Sequence, residues 1–533
     1  MLNPDAAAKV IQYFGPRIIA YSVNVSPKEA ERACQGETAL EAKEQQESLV
    51  QLVEALSQVL TAGRAQDVPP LVLLSRLGAA PGKPYASPFV SLRERNGGDV
   101  DFGDTGDPVL DPLLALARQI YPILLVLPYV PEDYPFSVSS AAIPVIFGHP
   151  SQTAFDTAVL SDHDLSALFP NPGADALSTS SYVARSTGES GTLQLSVLSS
   201  TLLQQAYVIC RLRGVLSPGA LSENLKDLVG LLRGAASGSR MRIRAFVGFT
   251  NVSFEMEESL DLALGTLRRY ESAQLELLPP TARPPVRGDT GEVLGFILES
   301  DYDFAIRAES WAPGDQVPDI SIDPTRFHRA LDLKCESIAL SFALAFDRDP
   351  PVGAVRTWTM LIDPLSHGGI SWRESRPPVP PYRMVESDKP RVGEWTARLN
   401  SVDDRPIAIA RRRLLSALTE RLDPVDGFID AVITWENMFG SRQGESTLRI
   451  SSAMASLLES DVQRRLELSK EIADLYGSRS AVLHGGTEPS LAQASEYRDR
   501  SLNLATKSMK RMYVDFPNLL TDKDRARILI LSL

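Results

Sequence analysis

The sequence predicts a multidomain protein with a mixed α/β or α+β N-terminal part and an all-α C-terminal helical bundle. Its 533 residues, 44% of them apolar, exceed what one ordinary hydrophobic core holds. Two proline-rich stretches, 278–292 and 376–395, disfavour helices and central strands. Sustained helical periodicity follows the second stretch. We therefore expect domains at residues 1–285, 286–395 and 396–533.

The N-terminal part mixes two kinds of apolar pattern. Residues 44–60 and 223–232 have helical spacing, whereas residues 70–77 and 241–256 resemble strands. This mixture predicts an α/β or α+β domain without specifying its topology.

The middle segment, residues 286–395, is predicted to be a small mixed domain. Apolar runs at 292–300, 337–346 and 354–363 are candidate strands around a helical segment at 323–334. Short apolar runs do not distinguish a strand from a buried helix, so both assignments stay open.

Five helices are predicted after Trp395. The first covers residues 407–422, and Asp423 can cap a second helix with Pro424 at its first position. The third covers residues 446–460. Ser460 with Gln463, and Ser490 with Gln493, have the spacing of capping boxes that begin the fourth and fifth helices. Short connections between these helices favour an antiparallel bundle.

Charge is distributed unevenly along the chain. The whole sequence has 54 Lys and Arg against 67 Asp and Glu, a formal net charge of −13. Residues 401–533 contain 19 of each sign, so the acidic excess lies in residues 1–400. This excess argues against a general nucleic-acid-binding surface there, since phosphate binding requires clustered Lys and Arg.

Metal, cofactor and membrane signals are weak. The three cysteines and five histidines are scattered without ligand spacing, so we expect neither a metal nor a cofactor. Residues 71–84 resemble a phosphate-binding loop, but only three residues separate Gly78 from Gly82, so we do not expect nucleotide binding there. His367 is followed by two glycines and is predicted to lie in a turn. The apolar stretch 111–130 contains Arg118 and two internal prolines, Pro122 and Pro128, which favours buried core over a membrane span. Without a secretory signal at the first residues, we expect a cytoplasmic protein.

The fourth predicted helix carries the most informative side chains. Its apolar stripe, which includes Leu475 and Val482, also contains Arg479. A guanidinium on an apolar stripe needs an anionic partner or an opening to solvent. His484 follows at the predicted helix end, directly before two glycines that stop helices well.

This region resembles the HEPN ribonucleases, in particular the Apea-like members. Residues 476–486, YGSRSAVLHGG, match the Arg-x4–6-His motif of that family, including the polar residue Ser480 after the arginine. Residues 411–440 are similar to the family's preceding helices, with Asp430 and Glu436 where Apea-like members carry an acidic pair. The resemblance covers about residues 400–533. Ser451-Ser452 departs from it, standing where another arginine is expected.

The resemblance implies a helical HEPN domain and a metal-independent endoribonuclease. The 2′-hydroxyl of RNA would attack the adjacent phosphate, His484 would act as general acid or base, and Arg479 would stabilise the transition-state charge. Ser480 would bind the phosphate or orient His484. Asp430 and Glu436 would hold Arg479.

Supporting residues and partners follow from the same resemblance. Tyr476 is a supporting residue, with packing as its main expected role. Lys507, Lys510 and Arg511 are candidate RNA contacts, although a solvated helix face also explains them. Two HEPN domains would meet in a symmetric dimer, and the N-terminal part would sense a trigger, as in bacterial defence against phage. The alternative is a non-catalytic HEPN module for binding or dimerisation.

Overall fold

The computed structural model describes residues 2–62, 87–99, 102–126, 146, 148–255, 259–275, 277–288, 291–366, 369–373, 379–440, 446–484 and 489–531. The strand-like run at 70–77, the phosphate-loop imitation at 71–84, His367 and the two glycines after His484 lie outside these residues.

The first two hundred described residues are mainly helical. The helices are α1 (Pro4–Phe14), α2 (Pro16–Val23), α3 (Pro27–Cys34), α4 (Lys43–Ala62), α5 (Pro88–Arg95), α6 (Leu110–Leu124), α7 (Pro150–Ser161), α8 (Leu195–Leu212) and α9 (Pro218–Ala236). Both predicted helical segments, 44–60 and 223–232, lie within such helices. Arg118, inside the apolar stretch of α6, forms an ion pair with Glu94 at 2.8 Å. Among the described helices, none combines the length and apolar character needed to cross a bilayer.

Thirteen described strands form the sheets. They are β1 (Ser180–Arg185), β2 (Ser190–Gln194), β3 (Met241–Thr250), β4 (Val252–Phe254), β5 (Leu260–Leu262), β6 (Gly265–Arg269), β7 (Val286–Arg287), β8 (Glu292–Val293), β9 (Gly295–Phe304), β10 (Ile306–Ser310), β11 (Val355–Leu361), β12 (Ile370–Trp372) and β13 (Tyr382–Met384). The largest sheet is antiparallel, in the order β12-β11-β3-β9-β6-β5. The strand β10 pairs with β1, which pairs with β2.

The six-stranded sheet separates two hydrophobic cores. Phe246 and Ile297 pack on the N-terminal helices, whereas their neighbours Val247 and Leu298 face the C-terminal half. This alternation is the period of two expected for a strand buried on both faces. The predicted boundary at residue 285 falls between β6 and β9, which pair side by side. Residue 285 therefore does not separate two cores.

Residues 337–346 are a candidate strand in the sequence, but residues 337–345 are helical and Phe346 follows as the C-cap. Together with the predicted helix at 323–334 they form one long helix, α11 (Thr325–Ala345). The preceding helix in the chain is the short α10 (Ser272–Leu275). Every residue from Ile338 to Ala345 is buried, because this helix packs between the sheet and the C-terminal helices. A helix buried on all sides has no polar face, so its sequence resembles a buried strand.

The second proline-rich stretch also contains regular structure. The strand β13 lies within it, and α12 (Lys389–Ser401) begins with Pro390 in its first turn. Proline is tolerated there because the first helical N–H groups have no intrahelical acceptor.

The C-terminal part is helical, as predicted. Its helices are α13 (Ala408–Thr419), α14 (Pro424–Phe439), α15 (Ser446–Leu458), α16 (Val462–Leu483), α17 (Leu491–Val514) and α18 (Arg525–Leu531). Asp423 accepts from the Val425 N–H at 2.8 Å, which confirms the predicted cap of α14. Ser490 and Gln493 form the predicted capping box. The cap of α16 is Asp461 rather than Ser460, since the Asp461 carboxylate accepts from the Arg464 N–H at 2.9 Å.

Candidate functional site

Glu436, on α14, joins two side chains of α16. The Tyr476 hydroxyl donates to Glu436 Oε1 at 2.7 Å, and Arg479 Nη2 donates to Glu436 Oε2 at 3.2 Å. The expected contact between Glu436 and Arg479 is therefore present. Each carboxylate oxygen has its own donor, so Glu436 fixes both side chains relative to α14.

Arg479 is the more buried member of this ion pair. Its side chain is 16% exposed, against 28% for Glu436. Among the described residues its Nε has no hydrogen-bond partner. A buried, unsatisfied N–H of a cation is costly, and an anionic group that approached it would be bound strongly.

Tyr476 has a polar role beyond packing. Burial, together with the hydrogen bond to Glu436, raises the pKa of Tyr476 to about 12. The phenol therefore keeps its proton throughout the neutral range and remains a donor to Glu436.

His484 is the exposed C-cap of α16, and its N–H donates to the Ser480 carbonyl at 3.1 Å. It follows Arg479 by five residues, which corresponds to about 7.5 Å along the axis and roughly 140° around it. Within one chain, Arg479 therefore lies on the buried side of α16 while His484 lies on the solvent side. Ser480, which is partly buried, lies between these two directions.

The solvent side of α16 carries apolar and small side chains. Val462 and Leu466 are 67% and 62% exposed. Along the same side follow the exposed Gly477, then Ser480 and His484, at helical spacing. A Cβ added to Gly477 would meet nothing within 4 Å. The exposed Lys470 lies on the same side, between Leu466 and Gly477. We call this surface the α16 stripe, and the open space at Gly477 allows another helix to approach there.

Asp430 has partners other than the expected Arg479. Arg413 Nη1 donates to Asp430 Oδ1 at 2.8 Å, and Arg421 Nε donates to Oδ2 at 2.6 Å. Asp430 and Glu436 are six residues apart on α14, so they project about 120° apart. This corrects the expectation that both carboxylates hold Arg479.

The predicted RNA contacts on α17 lie far from Arg479. Lys510 pairs with Asp347 at 2.6 Å and Arg511 with Asp515 at 2.9 Å, while Lys507 is exposed. These residues line a groove of about 410 Å³ together with Leu468 of α16. Leu468 precedes Arg479 by eleven residues, or about 16 Å along the helix. The basic cluster and the Arg479 end therefore occupy different parts of the bundle.

The sequence did not reveal how the run Arg411–Arg413 divides. Arg411 is buried and bonds Asp404 at 2.5 Å, Arg413 bonds Asp430, and Arg412 is exposed. Three consecutive residues of a helix span 200° around its axis. From the sequence alone, this spacing indicates that the three arginines face different neighbours.

Metal-ligating side chains do not converge in the described part of the chain: no group of three or more His, Cys, Asp or Glu could hold a metal ion. Cys34, Cys210 and Cys335 are all buried and unpaired.

No protein-family model, curated protein or solved structure matches this chain. The resemblance to the HEPN family, and every role derived from it, therefore stays a prediction.

Proposed function

We propose that the protein is a metal-independent endoribonuclease of the HEPN type. The observation that carries the proposal is the arrangement at the end of α16. There Glu436 holds a mostly buried Arg479 through one oxygen and Tyr476 through the other, and His484 ends the same helix in solvent.

The chemistry uses RNA's own nucleophile. The 2′-hydroxyl attacks the adjacent phosphorus, the bond to the 5′-oxygen breaks, and a 2′,3′-cyclic phosphate and a 5′-hydroxyl result. An imidazole accepts the proton of the 2′-hydroxyl, and an imidazole or water gives one to the leaving oxygen. Arg479, already positioned by Glu436, donates to the phosphate oxygens as their negative charge increases.

A dimer supplies what one chain lacks. Arg479 and His484 of one chain diverge by roughly 140° around α16, so a single phosphate does not readily meet both. Two copies of α16 packed side by side along the α16 stripe would bring both His484 side chains, and with them the ends of both helices, to one seam, as a symmetric interface pairs like surfaces. The exposed Val462 and Leu466 would be covered in such a dimer.

The larger N-terminal part is the regulator in this proposal. It shares the six-stranded sheet with α11, and α11 packs against the C-terminal helices. A trigger bound by the N-terminal part therefore has a continuous packed route to the bundle. Bacterial defence against phage is the setting in which such a regulated nuclease fits.

The decisive experiment is cleavage of a labelled RNA by the purified protein in EDTA. We expect cleavage that persists in EDTA and leaves cyclic-phosphate ends. Purified wild-type protein that gives no cleavage at any RNA tested, while forming a stable dimer, would favour the alternative of a non-catalytic dimerisation module.

Mixing tests the composite site. Wild-type and His484→Ala chains are combined in varied ratios, and cleavage is measured beside the mass in solution. Because each site would draw on both chains, activity should depart from proportionality to the wild-type fraction. Strict proportionality, with a monomer as the cutting species, would contradict the dimer.

A further inference from the structure

A second groove lies between the sheet and the C-terminal helices. One half, of about 400 Å³, lies between β11, β12, α11 and α13; the other, of about 570 Å³, follows α13 to Arg421. The two halves share Glu336, Leu415 and Glu420, so they adjoin each other along α13. Each half falls within the size range of small-molecule sites. We call it the sheet–bundle groove.

The two halves differ in chemistry. In the first, Phe249, Ala339 and Leu415 form an apolar floor, and Trp372 lies at the rim with 46% of its surface exposed. The arginines of this half are paired, Arg356 with Asp332 and Arg373 with Glu420. The second is lined by three arginines, Arg412, Arg413 and Arg421. The groove therefore suits a ligand with a flat aromatic group at one end and negative charge at the other.

The arginines of the second half are incompletely neutralised. Arg413 and Arg421, 43% and 39% exposed, share the single carboxylate of Asp430. Arg412 is exposed and has no hydrogen-bond or ion-pair partner among the residues that the structure describes. This surplus is notable in a chain whose net charge is −13.

The acidic side chains of the groove are already engaged. Asp332 accepts from Arg356 at 2.6 Å, Glu420 accepts from Arg373 at 3.2 Å, and Glu336 lies 3.6 Å from Arg329. The direct partners of these acids are therefore arginines other than Arg412, Arg413 and Arg421, although Glu420 also attracts Arg421 at longer range. Those three groups are consequently left with donors for an incoming anion.

We propose that the sheet–bundle groove binds a nucleotide. The base lies against Trp372 and the apolar floor, and the phosphates contact Arg412, Arg413 and Arg421. An acidic peptide would satisfy the arginines but leave the exposed indole without a ring to stack on. The same chemistry occurs in a free nucleotide and in one unit of a single-stranded RNA, and the experiment below separates these sources.

The position of the groove gives such binding a consequence. Its walls come from the sheet and from α13, and Asp430 links two of its arginines to α14, the helix that carries Glu436. A nucleotide bound there would compete with Asp430 for Arg413 and Arg421, and so would change the contacts that hold α14 in place. This regulatory consequence rests on the proposed nuclease, whereas the binding itself does not.

Binding is measured by calorimetry on the full-length protein, in EDTA, with ATP, GTP, UTP and CTP as probes. Inorganic triphosphate and adenosine are run separately, and each should bind at least about tenfold more weakly than ATP, since each fills only one half. A non-cleavable 2′-O-methyl oligonucleotide of single-stranded RNA is the second arm. Tight nucleotide binding identifies a free ligand; binding of the oligonucleotide alone identifies a unit of an RNA strand.

Substitutions locate the site. Arg412→Ala should weaken binding roughly tenfold or more, because a hydrogen bond to a charged group is lost, and should leave the melting temperature unchanged. Trp372→Ala should weaken it by a similar factor through lost stacking. The matched control is Arg464→Ala, which removes an exposed arginine on α16, away from the groove.

Three results would overturn the proposal. They are no binding of any nucleotide or oligonucleotide at roughly 1 mM, binding that neither substitution weakens, and triphosphate binding as tight as that of ATP. Each result leaves the cleavage assay of the proposed nuclease unaffected, so failure of the groove and failure of the nuclease are distinguishable.

Discussion

Two of the carboxylates on helix α14, those of Asp430 and Glu436, have opposite surroundings. At Asp430 the carboxylate is the buried member, 4% exposed, and its two arginines are 43% and 39% exposed. At Glu436 the relation is reversed, since the acid is 28% exposed and Arg479 only 16%. At Asp430 the buried acid is satisfied, and the remaining donors belong to its two solvated arginines. At Glu436 the buried member is the cation, and among the described residues its Nε has no hydrogen-bond partner. We call the Asp430 end of α14 the clasp, since its acid holds two neighbouring arginines in place, and the Glu436 end the receptive end, since its buried arginine can still bind an anion.

The largest expected effect is at the receptive end. His484→Ala should reduce RNA cleavage by about 100-fold to 10,000-fold, the usual loss for a general acid or base. Its melting temperature should match that of the wild type, because His484 is exposed. His163→Ala is the control, since that side chain is 98% exposed and lies in the N-terminal part. Cleavage at the wild-type rate by folded His484→Ala protein would remove His484 from the mechanism.

Arg479 should come next. Arg479→Ala is expected to lower the cleavage rate roughly 100-fold to 1,000-fold, as for a lost transition-state donor. Arg479→Lys should be nearly as damaging, because lysine keeps the charge but lacks the planar fork that grips two oxygens. Arg413→Lys, at the clasp, should cut normally. If Arg479→Lys also cuts normally, Arg479 contributes only generic positive charge and the two ends of α14 differ less than we infer.

Replacing each carboxylate of α14 with the matching amide distinguishes the role of the Glu436 end from that of the Asp430 end. Glu436→Gln should reduce cleavage roughly tenfold, since Arg479 loses a charged acceptor. Asp430→Asn should instead lower the free energy of unfolding by roughly 1.5–3 kcal/mol, with cleavage per folded molecule unchanged when no nucleotide is added. Denaturation curves and initial rates on the same preparations measure both. The comparison fails if Asp430→Asn impairs cleavage as much as Glu436→Gln does.

Tyr476→Phe should have the smallest effect. Loss of one hydrogen bond is expected to cost about 0.5–1.5 kcal/mol of stability. The pKa of Tyr476 is raised to about 12, so this contribution is complete below the ordinary phenol pKa and is lost only as the pH rises through that raised value. The difference from wild type should therefore be constant across the neutral range. Tyr497→Phe, at a ring packed on Phe428, is the control. A difference that changes near neutral pH would contradict the assignment.

Several features of the C-terminal part were accessible from the sequence. The caps Asp423 and Ser490, and the approximate bounds of the five helices, follow from residues within a few positions of each other. The same local pattern placed Arg479 among buried residues and His484 at a helix end. These features depend on backbone hydrogen bonds and side-chain spacing inside one helix, which the local sequence specifies.

The tertiary structure alone decided the partners. Asp430 and Glu436 lie on one helix, and only the rotation and packing of α14 against α13 and α16 determine which arginine each one meets. Packing likewise made residues 337–345 a helix, placed strands from both sides of residue 285 in one sheet, and formed the groove beside Arg412. Each of these depends on contacts between residues far apart in the chain, and a local pattern has no information about which distant surface will cover it.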